Sequence, residues 1–426
     1  MNIKKLINEN RIDLIIGFNY VDFYENKYNT DFFVNLFIEY KKSFNNLYEI
    51  VDNKKYQGKD GFLKRFNTLI ENIKKMGTNH TKIPVLICND QYWLLNGFHR
   101  VSILHYYNLI GNFNITNCKN IQYRWYPTNI QYFLERGYSK NYCNYIIYEF
   151  LKIYKKKFNC IILFPSNRKL PDNLYNEINS IYTLNIDVNK YNNNFKNNFI
   201  QLLYYHENWC INGKFTNKSA NCFKTNGMLK IFFIEHTKLN KLVDFKEHVR
   251  NFYDIGKDSI HIPDTQNEND TILQLLNNNT LSFLKKTPSL YIKFTNFNIL
   301  FKKLKIFLKS NNIDSKKICI TGSSVLSVYS IRDCNNIDLF IDKKYINIFK
   351  NTCFDNHNKY TINKNYSKHF EDIIYNPDNH FYYQNIKFCN LSLILYNKHY
   401  RVKHKVFGKV SIKKDLKDIN YIENII

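Results

Sequence analysis

From residue 3 to residue 48, apolar side chains recur every three or four positions, as at Phe32, Leu36 and Tyr40, and the spacing returns at Phe62, Phe66, Leu69 and Ile70. Residues spaced this way share one helix face, so the opening of the chain is predicted to be mostly helical. The period then changes. The apolar run Ile83–Cys88 predicts a strand, followed by a turn over 89–91, a second strand over 92–95 ending at Asn96-Gly97, and a helix over 101–107.

Beyond a weakly patterned stretch around 123–137, helical and strand periods alternate. Helices are expected over 142–154, 199–205, 243–252 and 270–276, and strands over 161–164, 181–186, 229–235 and 259–262. The last stretch predicts a helix over 299–308, a strand over 317–320, a Gly322-Ser323 turn, a helix over 325–331 and a strand over 337–341. Such alternation implies a multidomain α/β (α+β) protein. The expected division is 1–135, 136–290 and 291–426.

The chain has 426 residues and ten cysteines, no two of them in a C-x-x-C pair, which argues against a zinc finger or a disulfide framework. Residues 1–11 are polar and charged, and no run is long and apolar enough to span a membrane, so a cytoplasmic location is expected. The net charge of +25 points towards an anionic partner. A plainer account competes: Lys, Asn, Ile, Tyr and Phe are all abundant, and their codons are rich in A and T. The lysines are also spread along amphipathic segments, as on solvated faces.

Gly97-Phe98-His99-Arg100 stands where a strand hands over to a helix. Unpaired backbone N–H groups and the helix dipole favour an anion there, glycine permits close approach, and arginine can grip a phosphate with two hydrogen bonds. In the plainer reading His99 caps the helix and Arg100 makes a surface ion pair. With Ile83-Pro84-Val85 and Trp93-Leu94-Leu95-Asn96 before it, the segment resembles the phosphate-binding segment of the ParB/sulfiredoxin superfamily over roughly 80–110. The resemblance implies that Gly97, His99 and Arg100 bind the phosphates of a nucleotide.

Thr321-Gly322-Ser323-Ser324 also lies between a strand and a helix, and Asn336-Ile337-Asp338-Leu339 lies on the next strand. Residues two apart on a strand share a face, where two carboxylates can share metal ions. This order, with Lys414-Asp415-Leu416-Lys417-Asp418-Ile419 near the end, resembles the nucleotidyltransferase superfamily typified by DNA polymerase beta. The resemblance implies a nucleoside triphosphate on Gly322 and Ser323, and Mg2+ on Asp338, on Asn336 where a carboxylate is usual, and on a third carboxylate from a later strand. Glu371 and Asp372, ahead of Ile373-Ile374-Tyr375, are the candidates, with Asp372 preferred. Asn336 offers only a carbonyl oxygen, so this domain can bind nucleotide without transferring it.

Between these segments, Lys257, His261 and Asp264 gather on one short strand and its turn, faintly similar to the loop of nucleoside diphosphate kinases in which histidine takes up phosphate. Lys257 is then a phosphate ligand and His261, with Asp338, a catalytic candidate. The plainer reading makes His261 structural. Three functions follow: a nucleotidyl- or phosphoryltransferase acting on a small acceptor such as a sugar or sugar phosphate; a catalytically inactive nucleotide sensor; or a basic nucleic-acid-binding protein. The last is disfavoured because the sequence shows no interleaving of aromatic and basic residues of the kind that marks a stacking groove.

Overall fold

A computed structural model of the chain describes residues 3–51, 54–77, 82–88, 91–117, 128–362, 365–406 and 408–426. The turn expected over 89–91 begins outside these residues. The protein is of mixed α/β class, with several small sheets. It divides into two compact units, Met1–Lys156 and Lys157–Ile426. Among the described residues no helix is long and apolar enough to cross a membrane.

In the first unit the expected helical opening forms helices Asp13–Asn26, Phe32–Asn45 and Gly58–Met76. A two-stranded antiparallel ribbon, β1 (Tyr48–Val51) with β2 (Lys54–Gln57), interrupts them. The strand expected over 83–88 is β3 (Ile83–Cys88), central between β4 (Gln91–Leu94), antiparallel to it, and β5 (Phe113–Asn117), parallel to it. A parallel neighbour needs a crossover. Helix Phe98–Tyr106 supplies it, starting three residues earlier than the apolar period suggests. The opening of the chain is pinned beside the end of β4: Arg11 grips Asp13 at 2.8 and 2.9 Å and donates to the Leu94 carbonyl, while buried Asp13 also accepts from the hydroxyls of Thr128 (2.8 Å) and Tyr40 (3.3 Å).

The second unit carries two sheets. The first comprises β6 (Phe158–Leu163), β7 (Ser180–Asp187), β8 (Met228–Glu235) and β9 (Ile260–His261), antiparallel throughout in the order β7-β8-β6-β9. Every residue of β6 is buried, as its unbroken apolar run requires. Asn198, buried in helix Asn193–Leu203, donates to the carbonyls of Leu284 (2.9 Å) and Thr287 (2.7 Å), fastening helix Asn278–Lys286 beside it. That helix reaches the other sheet, where Tyr382 donates to the Thr280 hydroxyl at 3.0 Å.

The second sheet comprises β10 (Ile318–Thr321), β11 (Ile337–Ile341), β12 (Phe354–Asn356), β13 (His380–Tyr383) and β14 (Ile386–Cys389), in the order β12-β11-β10-β14-β13. β11 pairs antiparallel with β10 and parallel with β12, and its boundaries match the sequence expectation. Residues 373–375 lie in helix Phe370–Tyr375 and not on a strand; the His369 side chain accepts from the Glu371 N–H at 3.4 Å and caps it.

The closing segment from Lys414 to Ile419 lies in helix Lys409–Glu423. Its carboxylates are buried in a charge network: Lys398 meets Asp415 at 2.8 Å and Asp418 at 2.6 Å, Arg332 holds Asp418 with two hydrogen bonds, and Arg401 meets Asp415 at 3.0 Å. Arg332 sits in the loop leading to β11, so this helix braces the strand that carries Asp338. Breaking a buried pair strands its partner charge. Lys398→Ala is therefore expected to lower the unfolding free energy by about 3–5 kcal/mol in urea titration, and a loss below about 1 kcal/mol would refute this bracing role.

Candidate functional site

The first unit holds a cleft of about 1440 Å3 around the start of helix Phe98–Tyr106. Gly97 caps that helix with φ +104°, a left-handed conformation that glycine adopts without strain. No side chain caps the helix. Among the described residues no side chain accepts from its first N–H groups, where the positive end of the helix dipole lies. The Arg100 guanidinium folds over this helix start: its Nη2 is 3.4 Å from where a Gly97 side chain would begin. Among the described residues Arg100 has no ion pair, unlike the surface pairing of the plainer reading.

His99 does not cap the helix. Its ring packs on Phe66 (centroids 4.5 Å apart) and Phe37 (6.0 Å), and its Nε2 is buried without a partner. Burial, with Lys41, Arg65 and Arg100 nearby, holds the imidazole well below its ordinary pKa and keeps it neutral.

Lys41 is the residue that sequence reading missed. It lies on helix Phe32–Asn45, is only 4% exposed and lines the cleft. No hydrogen bond or carboxylate meets its ammonium among the described residues. Five rings surround it instead, Tyr40 and Phe98 at 5.0 Å and Phe37, Phe44 and Phe62 at 5.8 Å. Cation–π attraction offsets part of the lost hydration. Burial still pulls the Lys41 pKa down to about 8, against the pull of Glu49. Of the other charges lining the cleft, Arg11 is committed to Asp13 and Arg65 to Glu49 at 2.7 Å. Lys54, Lys55, Lys64, Arg100 and Arg136 line it without a carboxylate partner among the described residues. The cations lining the cleft outnumber its carboxylates, Asp13 and Glu49.

A second centre lies at the β10–β11 edge. Gly322 has φ +64°, and a side-chain carbon there would fall 1.9 Å from Asp338 Oδ2, so the turn and the acidic strand are in direct contact. Ser323 opens the six-residue helix Ser323–Val328 that follows. The parallel register places Asp355 of β12 opposite Asp338. The Asn336 amide nitrogen donates to Asp338 Oδ1 at 2.9 Å and to Asp355 Oδ2, and His357 Nε2 lies 3.2 Å from the same Asp338 oxygen. Gly322, Asn336 and Asp338 are thus brought together, with Ser323 next along the chain, and Asp355 and His357 join them. Asp372 does not. It accepts from Asn379 Nδ2 at 3.0 Å, on a helix tied to the far end of β11 through Tyr375 with Asp342 and Glu371 with Lys343. Asp333 caps helix Thr295–Ser310, accepting from the N–H groups of Asn296 (3.1 Å) and Phe297 (2.9 Å).

The residues at this centre, as arranged, do not fit the Mg2+ that the resemblance implies. Asn336 turns amide hydrogens, not its carbonyl oxygen, towards both carboxylates, and His357 takes up the remaining approach to Asp338 Oδ1. Among the described residues no three His, Cys, Asp or Glu side chains are placed to hold a metal ion.

His261 and Lys257 belong to neither centre. His261 Nε2, beside Tyr204 (centroids 4.9 Å apart), has neither partner nor solvent, and burial among Lys246, Lys218 and Arg250 pushes its pKa down to about 3. Lys257 is exposed, and its carbonyl accepts from Lys218, which also meets Asp258 at 2.6 Å.

No family model, curated protein or solved structure matches the chain.

Two outcomes are expected. At neutral pH Lys41→Met removes a buried charge that costs stability, so it should raise the unfolding free energy by about 1–3 kcal/mol. Because the folded Lys41 pKa lies below the unfolded one, wild-type stability gains from this group as pH rises from about 8 towards 10.5, a gain absent from the variant. Gly322→Ala should cost about 1–3 kcal/mol or more, from overlap with Asp338 and the left-handed backbone. A change under about 0.5 kcal/mol, at the level of ordinary surface substitutions, would contradict that contact.

Proposed function

We propose that this protein binds a nucleotide through its phosphates, in the basic cleft of the first unit. The observation that carries the reading is Lys41: a buried cation without a counter-charge costs stability, and an anionic ligand supplies what the fold leaves out. Arg100 and the uncapped helix start stand on the same cleft, and Gly97, His99 and Arg100 are the residues that the ParB/sulfiredoxin resemblance selects. Arg100 would hold a phosphate bidentately, Lys41 would supply charge from below, and the helix N–H groups would receive the remaining oxygens. On this reading the second unit is a nucleotidyltransferase-like domain that holds a nucleotide without transferring it, because Asn336 satisfies the carboxylates that transfer chemistry would use.

The second reading is a nucleotidyl- or phosphoryltransferase acting on a small acceptor such as a sugar or sugar phosphate, in which the Asn336 amide would have to turn away from the carboxylates before Mg2+ could reach Asp338. Asp355 favours it, because a second carboxylate does face Asp338.

Calorimetric titration with each nucleoside triphosphate, with and without Mg2+, separates the two. The binding reading expects metal-independent affinity that falls about 10-fold or more in Arg100→Ala, the scale of a lost charged hydrogen bond. It also expects weakening as pH rises through about 8, where Lys41 loses its proton. Mg2+-dependent binding abolished by Asp338→Ala would favour the transferase, and no binding of any triphosphate would defeat both.

A further inference from the structure

We infer that the occupant of the first unit's cleft is a single-stranded nucleic acid, several nucleotides of it lying across the groove. The inference rests on the phosphate-binding reading and names the ligand class.

Three observations carry it. First, the cleft of about 1440 Å3 exceeds the roughly 300–1,000 Å3 of pockets that enclose one small molecule. Second, the lining cations without a carboxylate partner among the described residues come from four separate elements. Lys54 and Lys55 come from β2, Lys64 from helix Gly58–Met76, Arg100 from the crossover helix and Arg136 from the end of helix Ile130–Glu135. Five such cations can each neutralise one phosphate of a strand. Third, aromatic rings line the same cleft. Arg65 stacks over Tyr56 at 4.8 Å and Arg136 over Tyr132 at 4.4 Å. Phe44 is 46% exposed in the cleft, its ring centroid 6.4 Å from that of Tyr132. Stacking rings between backbone-binding cations is how unpaired bases are held without regard to sequence. Lys41, buried 5.8 Å from the Phe44 ring centroid and without an ion pair among the described residues, adds a buried positive charge to those at the surface of the groove.

The test is fluorescence anisotropy of the full chain with labelled oligo(U) and oligo(dT) of about 12 nucleotides, within the span of about 4–16 that one such groove covers. ATP, inorganic polyphosphate and a duplex of the same length are titrated alongside. The expected result is binding of single strands tighter than ATP, with a log–log salt slope near −3.5 if five phosphates are engaged at about −0.7 each. Phe44→Ala should weaken that binding about 5- to 100-fold, as loss of one stacked base does, and weaken polyphosphate binding less. Lys54→Gln with Lys55→Gln should flatten the slope by about 1.4. Preference between oligo(U) and oligo(dT) tells whether the strand is RNA or DNA. Single strands binding no tighter than ATP would overturn the inference while leaving the phosphate reading intact. So would polyphosphate or duplex matching the single strands, or indifference to Phe44→Ala. If neither ATP nor oligonucleotide binds, the inference and the phosphate reading fall together.

Discussion

Like-charge repulsion is the constraint to which the rest of the structure answers. A chain with a net charge of +25 must place its cations where they do not drive the compact state apart. The second unit does so by pairing those it buries. Lys398 meets two carboxylates, Arg332 grips Asp418, and Lys387 donates to the carbonyls of Ile374 (2.6 Å) and Lys316 (3.0 Å). The first unit leaves Lys41 under aromatic rings and surrounds the same cleft with further cations. A fold that tolerates this concentration carries an unfavourable electrostatic term that the second unit avoids.

The two centres therefore stand in opposite electrostatic conditions. In the cleft the cations are in excess and the helix start is uncapped. At the β10–β11 edge the carboxylates are met by Asn336 and His357, and Gly322 lets Asp338 settle against the backbone. Both are positioned by the same device, a glycine at a strand-to-helix turn whose backbone a bulkier residue would strain, and they differ in what the surrounding elements deliver to that turn.

Much of the scaffold was legible in the amino-acid pattern. β3 and β11 follow from short apolar runs, and the helices around Phe32 and Phe62 from a strict period. Gly97 and Gly322 were recognisable because strand, glycine and helix occur in order. Asp355 was not, since β12 is three residues long with little apolar signal, and its place beside Asp338 is set by parallel pairing between strands distant in sequence. Lys41 escaped because a lysine within an amphipathic helix reads as part of the solvated face; only the packing of Phe62 and Phe98 from other helices encloses it. The aromatic and basic residues that line the cleft likewise come from separate elements, so a sequence scan for adjacent residues does not find them.

The Asn336 bridge bears on how such a domain changes over generations. Asparagine and aspartate have nearly the same shape, so exchanging one for the other leaves the packing around Gly322 undisturbed while inverting the demand of the cluster. With the amide, the carboxylates are content without an ion. With a third carboxylate they would repel one another until a divalent cation came to hold them. One exchange at a single position thus separates carboxylates satisfied within the fold from carboxylates that a cation would have to hold together.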